Sequence, residues 1–159
     1  MRFFLSNGKR LKSELENFPM SDEFLPSRLL VFCRKDTEIL AVCGIRSVLN
    51  ILSIYVTEGY RGKRLGTRVL SETIKIARKQ KLGFITLPVL VDNLPALRLY
   101  LAFRFREIVR LENYKVLMLP LTLRGEIAYW LFRTICSKVP NAVLTHATRS
   151  VFQRTIGDW

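Results

Sequence analysis

One segment of the chain, Ile51-Leu-Ser-Ile-Tyr-Val-Thr-Glu-Gly-Tyr-Arg-Gly-Lys-Arg-Leu-Gly-Thr-Arg-Val-Leu70, has the pattern of a strand, a tight turn and a helix. Its first residues are mostly β-branched or aromatic, which predicts a buried central strand covered on both faces. Glu58-Gly59 then interrupts the pattern, and apolar side chains recur at helical spacing from Leu65 towards Gln80. The segment therefore predicts a buried strand that leads into an amphipathic, basic helix.

The turn between this strand and helix suits a phosphate group. A loop that enters a helix N-terminus points several unpaired backbone N–H groups the same way, with the positive end of the helix dipole behind them. Gly62 and Gly66 have no Cβ to keep a ligand from the backbone, and Arg61, Lys63 and Arg64 add positive charge. A glycine-bearing turn can equally be simple fold punctuation, so the residues alone leave both interpretations open.

Composition indicates one globular domain. The 159 residues can bury a sizeable core, and 49% hydrophobic with 25% charged residues excludes a disordered chain. Cys33, Cys43 and Cys136 are isolated among apolar neighbours and His146 is the single histidine, so we expect no metal site and no disulfide framework. No signal peptide is recognisable, and proline and charged residues interrupt the apolar run 116–135. We therefore expect a cytoplasmic protein without a transmembrane segment.

The net charge of +13 is the compositional outlier. Residues 57–81 contain eight basic and two acidic side chains, whereas residues 1–27 contain equal numbers of each. This local surplus would attract a polyanionic cofactor, although nucleic acid or an anionic membrane surface would use the same charge. For the basic residues late in the helix, a solvated face is the simplest explanation.

The rest of the chain is predicted to form short strands and helices. The expected strands are 1–5, 29–32, 39–46, 84–91, 107–111 and 115–119, and the expected helices are 9–18, 95–103, 123–136 and 139–153, with a helical turn at 21–25. Strand 1–5 is expected at an edge of the sheet, and strands 29–32 with 39–46 and 107–111 with 115–119 are each expected to form a hairpin. Gly83 is expected to cap the basic helix at its C-terminus. Pro88 lies inside a predicted strand and cannot donate to a ladder, so this strand should lose a partner near it.

Two segments resemble motifs of the GNAT superfamily of N-acetyltransferases. Arg61-Gly62-Lys63-Arg64-Leu65-Gly66 resembles the family's first motif: arginine or glutamine, two residues, glycine, one residue, and glycine or alanine. Residues 93–107 resemble its second motif, an asparagine followed by a short helix with a tyrosine and then a glycine-phenylalanine pair. The order and separation of the two segments also match the family.

Two arginines stand where this family usually has glycines. Arg64 replaces the middle glycine of the first motif, a position that commonly takes helical angles, so we expect little cost there. Arg104 replaces the glycine before Phe105, which normally accepts the left-handed conformation at a helix C-terminus. Because that conformation costs a residue with a Cβ about 1 kcal/mol, we expect an altered or mildly strained turn at Arg104.

The resemblance implies an α/β (α+β) fold: a mixed, mostly antiparallel central sheet with splayed central strands, flanked by helices. It covers residues 1–120, which we expect to form the acetyltransferase domain. Residues 121–159 are expected to form a C-terminal helical extension of that domain. The extension could pack on its own domain, pair two copies into a homodimer or lie on a membrane surface, and its sparse charge favours the first two.

The resemblance also implies an activity: transfer of an acetyl group from acetyl-CoA to a primary amine by direct attack in a ternary complex. Tyr100 would be the general acid that protonates the departing thiolate, and the backbone N–H of Ile54 would hold the thioester oxygen. The implied cofactor-binding residues are Ile54, Val56, Arg61, Gly62, Lys63, Arg64, Gly66, Thr67 and Asn93.

The sequence leaves the general base and the acceptor open. Glu38, Glu58, Asp92 and Glu112 are candidate bases by position only, a water relay is equally plausible, and the lone His146 is more simply structural. Positive charge favours anionic or nucleic-acid-linked acceptors over cationic ones. The competing interpretation is a catalytically inactive GNAT-fold module that binds nucleic acid through its basic surface.

Overall fold

The computed structural model describes residues 2–6, 24, 27–46, 48–140 and 143–144. The chain divides into two compact units, residues 1–81 and residues 82–159. Each unit contains one antiparallel sheet. The helices predicted at 9–18 and 139–153 and the helical turn at 21–25 lie outside the described residues, apart from a few isolated positions such as the buried Phe24.

The sheet of the first unit has four strands that follow one another in chain order. They are β1 (Arg2–Ser6), β2 (Ser27–Lys35), β3 (Glu38–Arg46) and β4 (Leu52–Val56). The predicted edge strand at the N-terminus and the predicted hairpin are confirmed, and the hairpin strands are longer than predicted. The turn between β2 and β3 contains Asp36 at a positive φ of 52°, which aspartate tolerates better than most residues.

The predicted strand at the start of the deciding segment is confirmed as β4, but it is not central in this sheet. β4 is the last strand in the order, and residues 54–56 are only half-buried, whereas Leu52 and Ser53 are buried. Its apolar residues are explained by packing: Tyr55 contacts the buried cluster that contains Phe24 and Phe32. An apolar run thus reports contact with the core without fixing the place of a strand in the sheet.

The helix α1 (Leu65–Lys79) packs on β2, β3 and β4. Its buried residues recur at helical spacing and are Leu65, Val69, Leu70, Thr73, Ile74 and Ala77. The opposite face exposes basic residues, and Lys75 forms an ion pair of 2.7 Å with Glu72. The predicted basic, amphipathic helix is confirmed. The left-handed residue after it is Lys81, with φ 56°, so the prediction of a capping Gly83 is wrong.

Up to residue 140, the second unit combines three strands with two helices. They are β5 (Phe84–Leu90), α2 (Leu94–Ala102), β6 (Arg106–Arg110), β7 (Tyr114–Pro120) and α3 (Leu123–Lys138). The sheet order is β5-β7-β6, so β7 is central and the predicted last hairpin is confirmed. Pro88 is paired with Val116 on β5, an edge strand of this sheet, which is where proline is tolerated.

The start of α3 is held against the start of β5 by a close backbone approach. The carbonyl oxygen of Gly83 accepts the N–H groups of Leu121 at 2.9 Å and Thr122 at 3.3 Å. The Thr122 side chain caps α3 by accepting the Gly125 N–H at 3.2 Å. A Cβ on Gly125 would lie only 1.9 Å from the Gly83 oxygen. Gly83 therefore accepts hydrogen bonds from the start of α3 and does not cap α1.

The two sides of α3 differ in their surroundings. Gly125 and Tyr129 are buried where the helix packs on β6 and β7. The outward side exposes large apolar side chains, each more than half accessible: Leu123, Ile127, Trp130, Leu131 and Ile135. In the described part of the chain, no helix has the length and apolar character needed to cross a membrane.

All three cysteines are free thiols. Cys33 and Cys43 are buried and Cys136 is half-buried. Burial raises the pKa of Cys43 to about 12, so this thiol stays protonated at neutral pH and behaves as a small apolar side chain. Among the described residues, no group of three or more His, Cys, Asp or Glu is placed to hold a metal ion.

Candidate functional site

The loop between β4 and α1 leaves a row of backbone donors at a helix start. The first residue of α1 to donate to a main-chain oxygen at this end is Arg68, whose N–H contacts the Arg64 carbonyl at 3.1 Å. The N–H groups of Leu65, Gly66 and Thr67 precede it, so no carbonyl of the helix is available to them. The Arg64 side chain does not cap them. This end of α1 therefore offers aligned donors and the positive end of the helix dipole to an anion.

Two residues of the loop have positive φ angles, Gly62 at 75° and Arg64 at 59°. The expectation of helical angles at Arg64 is wrong, because this residue takes the left-handed conformation immediately before α1. That conformation costs about 1 kcal/mol for a residue with a Cβ. A Cβ built on Gly62 would have no atom within 4 Å, so the backbone of this loop borders open space.

The basic side chains of the loop are partly held by the loop itself. Arg61 Nε donates to the Val56 carbonyl at 3.3 Å, and Lys63 Nζ donates to the Gly59 carbonyl at 3.1 Å. Lys63 Nζ also lies 4.9 Å from the centre of the Tyr60 ring. These contacts hold two positive charges against the backbone of residues 56–59, just before the loop enters α1.

Tyr60 connects this loop to the β2–β3 turn. Its hydroxyl donates to a carboxylate oxygen of Glu38 at 3.1 Å, and this hydrogen bond and the charge of Glu38 raise the pKa of Tyr60. Sequence reasoning missed this contact because the two residues are far apart in the chain. It also occupies one oxygen of Glu38, one of the candidate bases.

The register of β4 determines which of its backbone groups face away from β3. The Thr57 N–H donates to the Leu40 carbonyl, and the Arg46 N–H donates to the Ile51 carbonyl. In an antiparallel ladder, hydrogen-bonded pairs alternate with pairs whose N–H and C=O groups point away from each other. Thr57 and Ile51 thus belong to hydrogen-bonded pairs. Alternation from these two residues puts the pairs Ile54–Cys43 and Val56–Ala41 among those whose N–H and C=O groups point away from each other. The N–H groups of Ile54 and Val56 therefore point away from β3.

Asn93 begins α2 as its N-cap. Its side-chain oxygen accepts the N–H of Ala96 at 3.2 Å, and Pro95 follows in the first turn, where its missing N–H costs nothing. Sequence reasoning assigned Asn93 to cofactor binding and did not foresee this capping role. Its side-chain oxygen is thus already hydrogen-bonded within the helix.

Tyr100 lies near the end of α2 and is buried, with 6% of its surface exposed. The N–H of Phe105 donates to the Tyr100 carbonyl at 3.1 Å, and that of Arg104 donates to the Leu101 carbonyl at 2.9 Å. This pattern is a Schellman motif with Arg104 as its left-handed residue, at φ 65°. The predicted strain at Arg104 is confirmed. The turn places the Phe105 ring 5.6 Å from the Tyr100 ring.

Each unit thus brings together its own share of the predicted site. The first unit groups Ile54, Val56, Arg61, Gly62, Lys63, Arg64, Gly66 and Thr67 around the end of β4 and the start of α1. The second unit holds Asn93 and Tyr100 at opposite ends of α2. Among the other candidate bases, Glu58, Asp92 and Glu112 are exposed, and His146 lies outside the described residues.

Residues 4–105 match the model of the acetyltransferase (GNAT) family. The ribosomal-protein-S18-alanine N-acetyltransferase from Escherichia coli has a similar structure, with 19% identity, a TM-score of 0.59 and coverage of 77% of this chain and 96% of that one. The Campylobacter jejuni N-acetyltransferase PseH in complex with acetyl coenzyme A gives 20% identity, a TM-score of 0.61 and coverage of 76% and 100%. No curated protein sequence gives a significant match.

A third similar structure is yncA, a putative acetyltransferase from Salmonella typhimurium with its cofactor acetyl-CoA, at 13% identity, a TM-score of 0.61 and coverage of 77% and 94%. These structures support the predicted mixed α+β fold with antiparallel sheets. They match over nearly their whole length but leave about a quarter of this chain without a counterpart. The family match ends at residue 105, before β6 begins.

Proposed function

The chain belongs to the acetyltransferase (GNAT) family, and from this membership we propose that it transfers an acetyl group from acetyl-CoA to a primary amine by direct attack. All of the predicted site residues fall within the matched segment, residues 4–105. The observation that carries the proposal is the loop between β4 and α1. Its backbone donors, positive charge and open side are what an anionic pyrophosphate requires.

The residues of this loop fit the pyrophosphate of acetyl-CoA. The N–H groups of Gly66 and Thr67 lie in the first turn of α1, and those of Gly62, Lys63 and Arg64 lie in the loop before it. Arg61 and Lys63 add charge that is already held in place. Because oriented backbone donors need little rearrangement on binding, they hold an anion at low entropic cost.

The outer side of β4 suits the rest of the donor. Acetyl-CoA would supply an acetyl group activated as a thioester. The Val56 N–H would pair with an amide of the pantetheine arm as a strand would, since it points away from β3. The Ile54 N–H would donate to the thioester oxygen, which becomes negative as the amine attacks. Asn93 would line the cofactor arm with the part of its amide that does not cap α2.

Tyr100 would donate its phenolic proton to the departing sulfur. The attacking amine must itself lose a proton, and Glu38, Glu58, Asp92, Glu112 or a water relay would accept it. We assign none of these as the base.

The proposed binding of pyrophosphate by the loop between β4 and α1 is tested by Gly62→Val, with Gly59→Val as the matched control. A β-branched residue at a φ of 75° is strained, so the loop must change shape and lose its donor alignment. We expect the Kd for acetyl-CoA, measured by calorimetry, to rise at least about tenfold, the equivalent of 1–2 kcal/mol. Gly59 borders open space and has no left-handed φ, so its variant should bind nearly as the wild type does.

Equal affinities for the two variants would remove the loop from the proposed site. Failure of the wild type to bind acetyl-CoA, combined with RNA binding that weakens steeply as salt rises, would instead favour the inactive nucleic-acid-binding module.

For the outward side of α3 we propose pairing with a second copy of the chain. Leu123, Ile127 and Trp130 are exposed and spaced by four and three residues, the spacing of a two-helix seam. Two such faces are self-complementary about a two-fold axis. Sedimentation velocity should give a dimer for the wild type and a monomer for Ile127→Glu. A monomeric wild type at all concentrations would contradict this proposal.

We also expect a domain of residues 1–120 with a C-terminal extension of residues 121–159, splayed central strands in the sheet, and a cytoplasmic location.

A further inference from the structure

A groove of about 580 Å³ opens along β6 in the second unit. It is lined by residues 106–110 of β6, by Leu101 and Phe105 beside Tyr100, and by Tyr129 and Arg133 of α3. Small-molecule sites commonly have volumes of roughly 300–1,000 Å³, so the groove has room for one ligand. None of its lining residues belongs to the proposed donor site, and most of them lie beyond residue 105, where the family match ends.

Tyr129 contacts two of the arginines that line this groove. Its ring is buried, and the Arg106 guanidinium lies over it with Cζ 4.0 Å from the ring centre. Its hydroxyl accepts a hydrogen bond from Arg133 Nη1 at 2.9 Å and donates to the Glu107 carbonyl at 3.2 Å. One buried side chain therefore holds two guanidinium groups in fixed positions before any ligand arrives.

The positive charge around the groove is only partly balanced. Arg106 forms an ion pair with Glu126 at 2.5 Å, and Glu107 forms one with Lys115 at 2.8 Å. Among the described residues, no carboxylate is paired with Arg110 or Arg133. A guanidinium has five N–H donors, and Arg133 uses one of them on Tyr129. Two cations thus retain donors at the same groove.

We propose that this groove binds a small molecule in which a carboxylate or phosphate group is attached to an apolar body. Planar guanidinium groups bind both oxyanions through paired hydrogen bonds, so Arg133, which Tyr129 holds in place, would bind the anion, and Arg110 would add positive charge at the end of β6. The apolar body would lie against Leu101 and Ile108, which border the groove beside them. This binding does not depend on acetyl transfer, so it can be tested without acetyl-CoA or an acceptor.

The test is a titration of the ¹⁵N-labelled full chain, followed by NMR. Phenyl phosphate and phenylacetate are the anionic probes, and benzylamine and benzyl alcohol are the controls of equal apolar size. We expect saturable shifts of the 106–110 backbone amides with an anionic probe and weaker, non-saturating shifts with both controls. The anion that binds more tightly identifies the class of ligand.

Substitutions of single arginines test whether the residues that line the groove bind the anionic probe. Arg110→Gln and Arg133→Gln should each weaken the binding of the anionic probe about tenfold, the effect of losing one charged hydrogen-bond partner. Arg124→Gln, an exposed arginine of α3 that does not line the groove, should change it less than twofold. Arg110→Gln alone suffices if the Arg133 variant lowers the unfolding temperature.

Three results would each overturn the proposal. The first is equal binding of the anionic and control probes, the second is shifts confined to residues 61–67, and the third is unchanged affinity in the folded Arg110 variant.

Discussion

Phenylalanine at position 100 is expected to lower kcat for acetyl transfer by about 10²-fold or more, the usual effect of removing a positioned proton donor. The Kd for acetyl-CoA should stay within about twofold, because the variant keeps every backbone donor that the proposed donor site uses. Tyr100 is buried beside Phe105, with the ring centres 5.6 Å apart, and a phenylalanine ring preserves that contact. The variant thus removes the hydroxyl and little else.

Turnover should be followed by thiol release across several classes of amine, and affinity by calorimetry. Tyr114→Phe is the control, since Tyr114 lies on β7 and has no proposed role in the reaction. A kcat for Tyr100→Phe within about threefold of the wild type would remove Tyr100 from the mechanism. A parallel loss of acetyl-CoA affinity would indicate a binding role for the hydroxyl instead.

Alanine at position 125 is expected to lower the free energy of unfolding by about 3 kcal/mol, through overpacking and lost hydrogen bonds. The added Cβ would lie 1.9 Å from the Gly83 oxygen and 2.8 Å from its carbonyl carbon. Both are backbone atoms that cannot rotate away. The start of α3 must therefore move, which breaks the hydrogen bonds from Leu121 and Thr122 to Gly83.

Urea unfolding measures this change, and the unfolding temperature should fall by roughly 6–12 °C for a chain of this size. Gly59→Ala is the matched control because a Cβ there meets no atom within 4 Å. A loss below about 0.5 kcal/mol for Gly125→Ala, the range of ordinary surface substitutions, would mean that α3 can shift at little cost.

Local patterns predicted much of the fold. Helical spacing of apolar residues identified α1, and turn residues between apolar runs identified the β2–β3 and β6–β7 hairpins, since these features depend on neighbours in the chain. The contact between Gly125 and Gly83 joins residues that are distant in sequence. Periodicity carries no information about such approaches, so Gly83 was assigned to the wrong element.

The sequence predicted some features of the candidate site and missed others. The strain at Arg104 followed from the family pattern, because a helix that ends in a Schellman motif puts a left-handed residue at this position whatever its side chain. At Arg64 the same reasoning failed, because the sequence does not determine the path of the loop before α1. The outward direction of the Ile54 and Val56 N–H groups depends on the register of β4 against β3, and the nearly unbroken apolar run of β4 has no alternation that would fix this register.

The approach of α3 to Gly83 has a consequence for fragments of the gene. A fragment that stops at residue 105 contains β5 and none of β6 and β7, so β5 loses β7, its partner in this sheet. A fragment that stops at Pro120 keeps the three strands β5, β6 and β7 but exposes the surface that Tyr129 covers. It also lacks Leu121 and Thr122, which donate to the Gly83 carbonyl. The end of the family match at residue 105 therefore falls inside the second compact unit, and a soluble fragment should extend at least to Lys138.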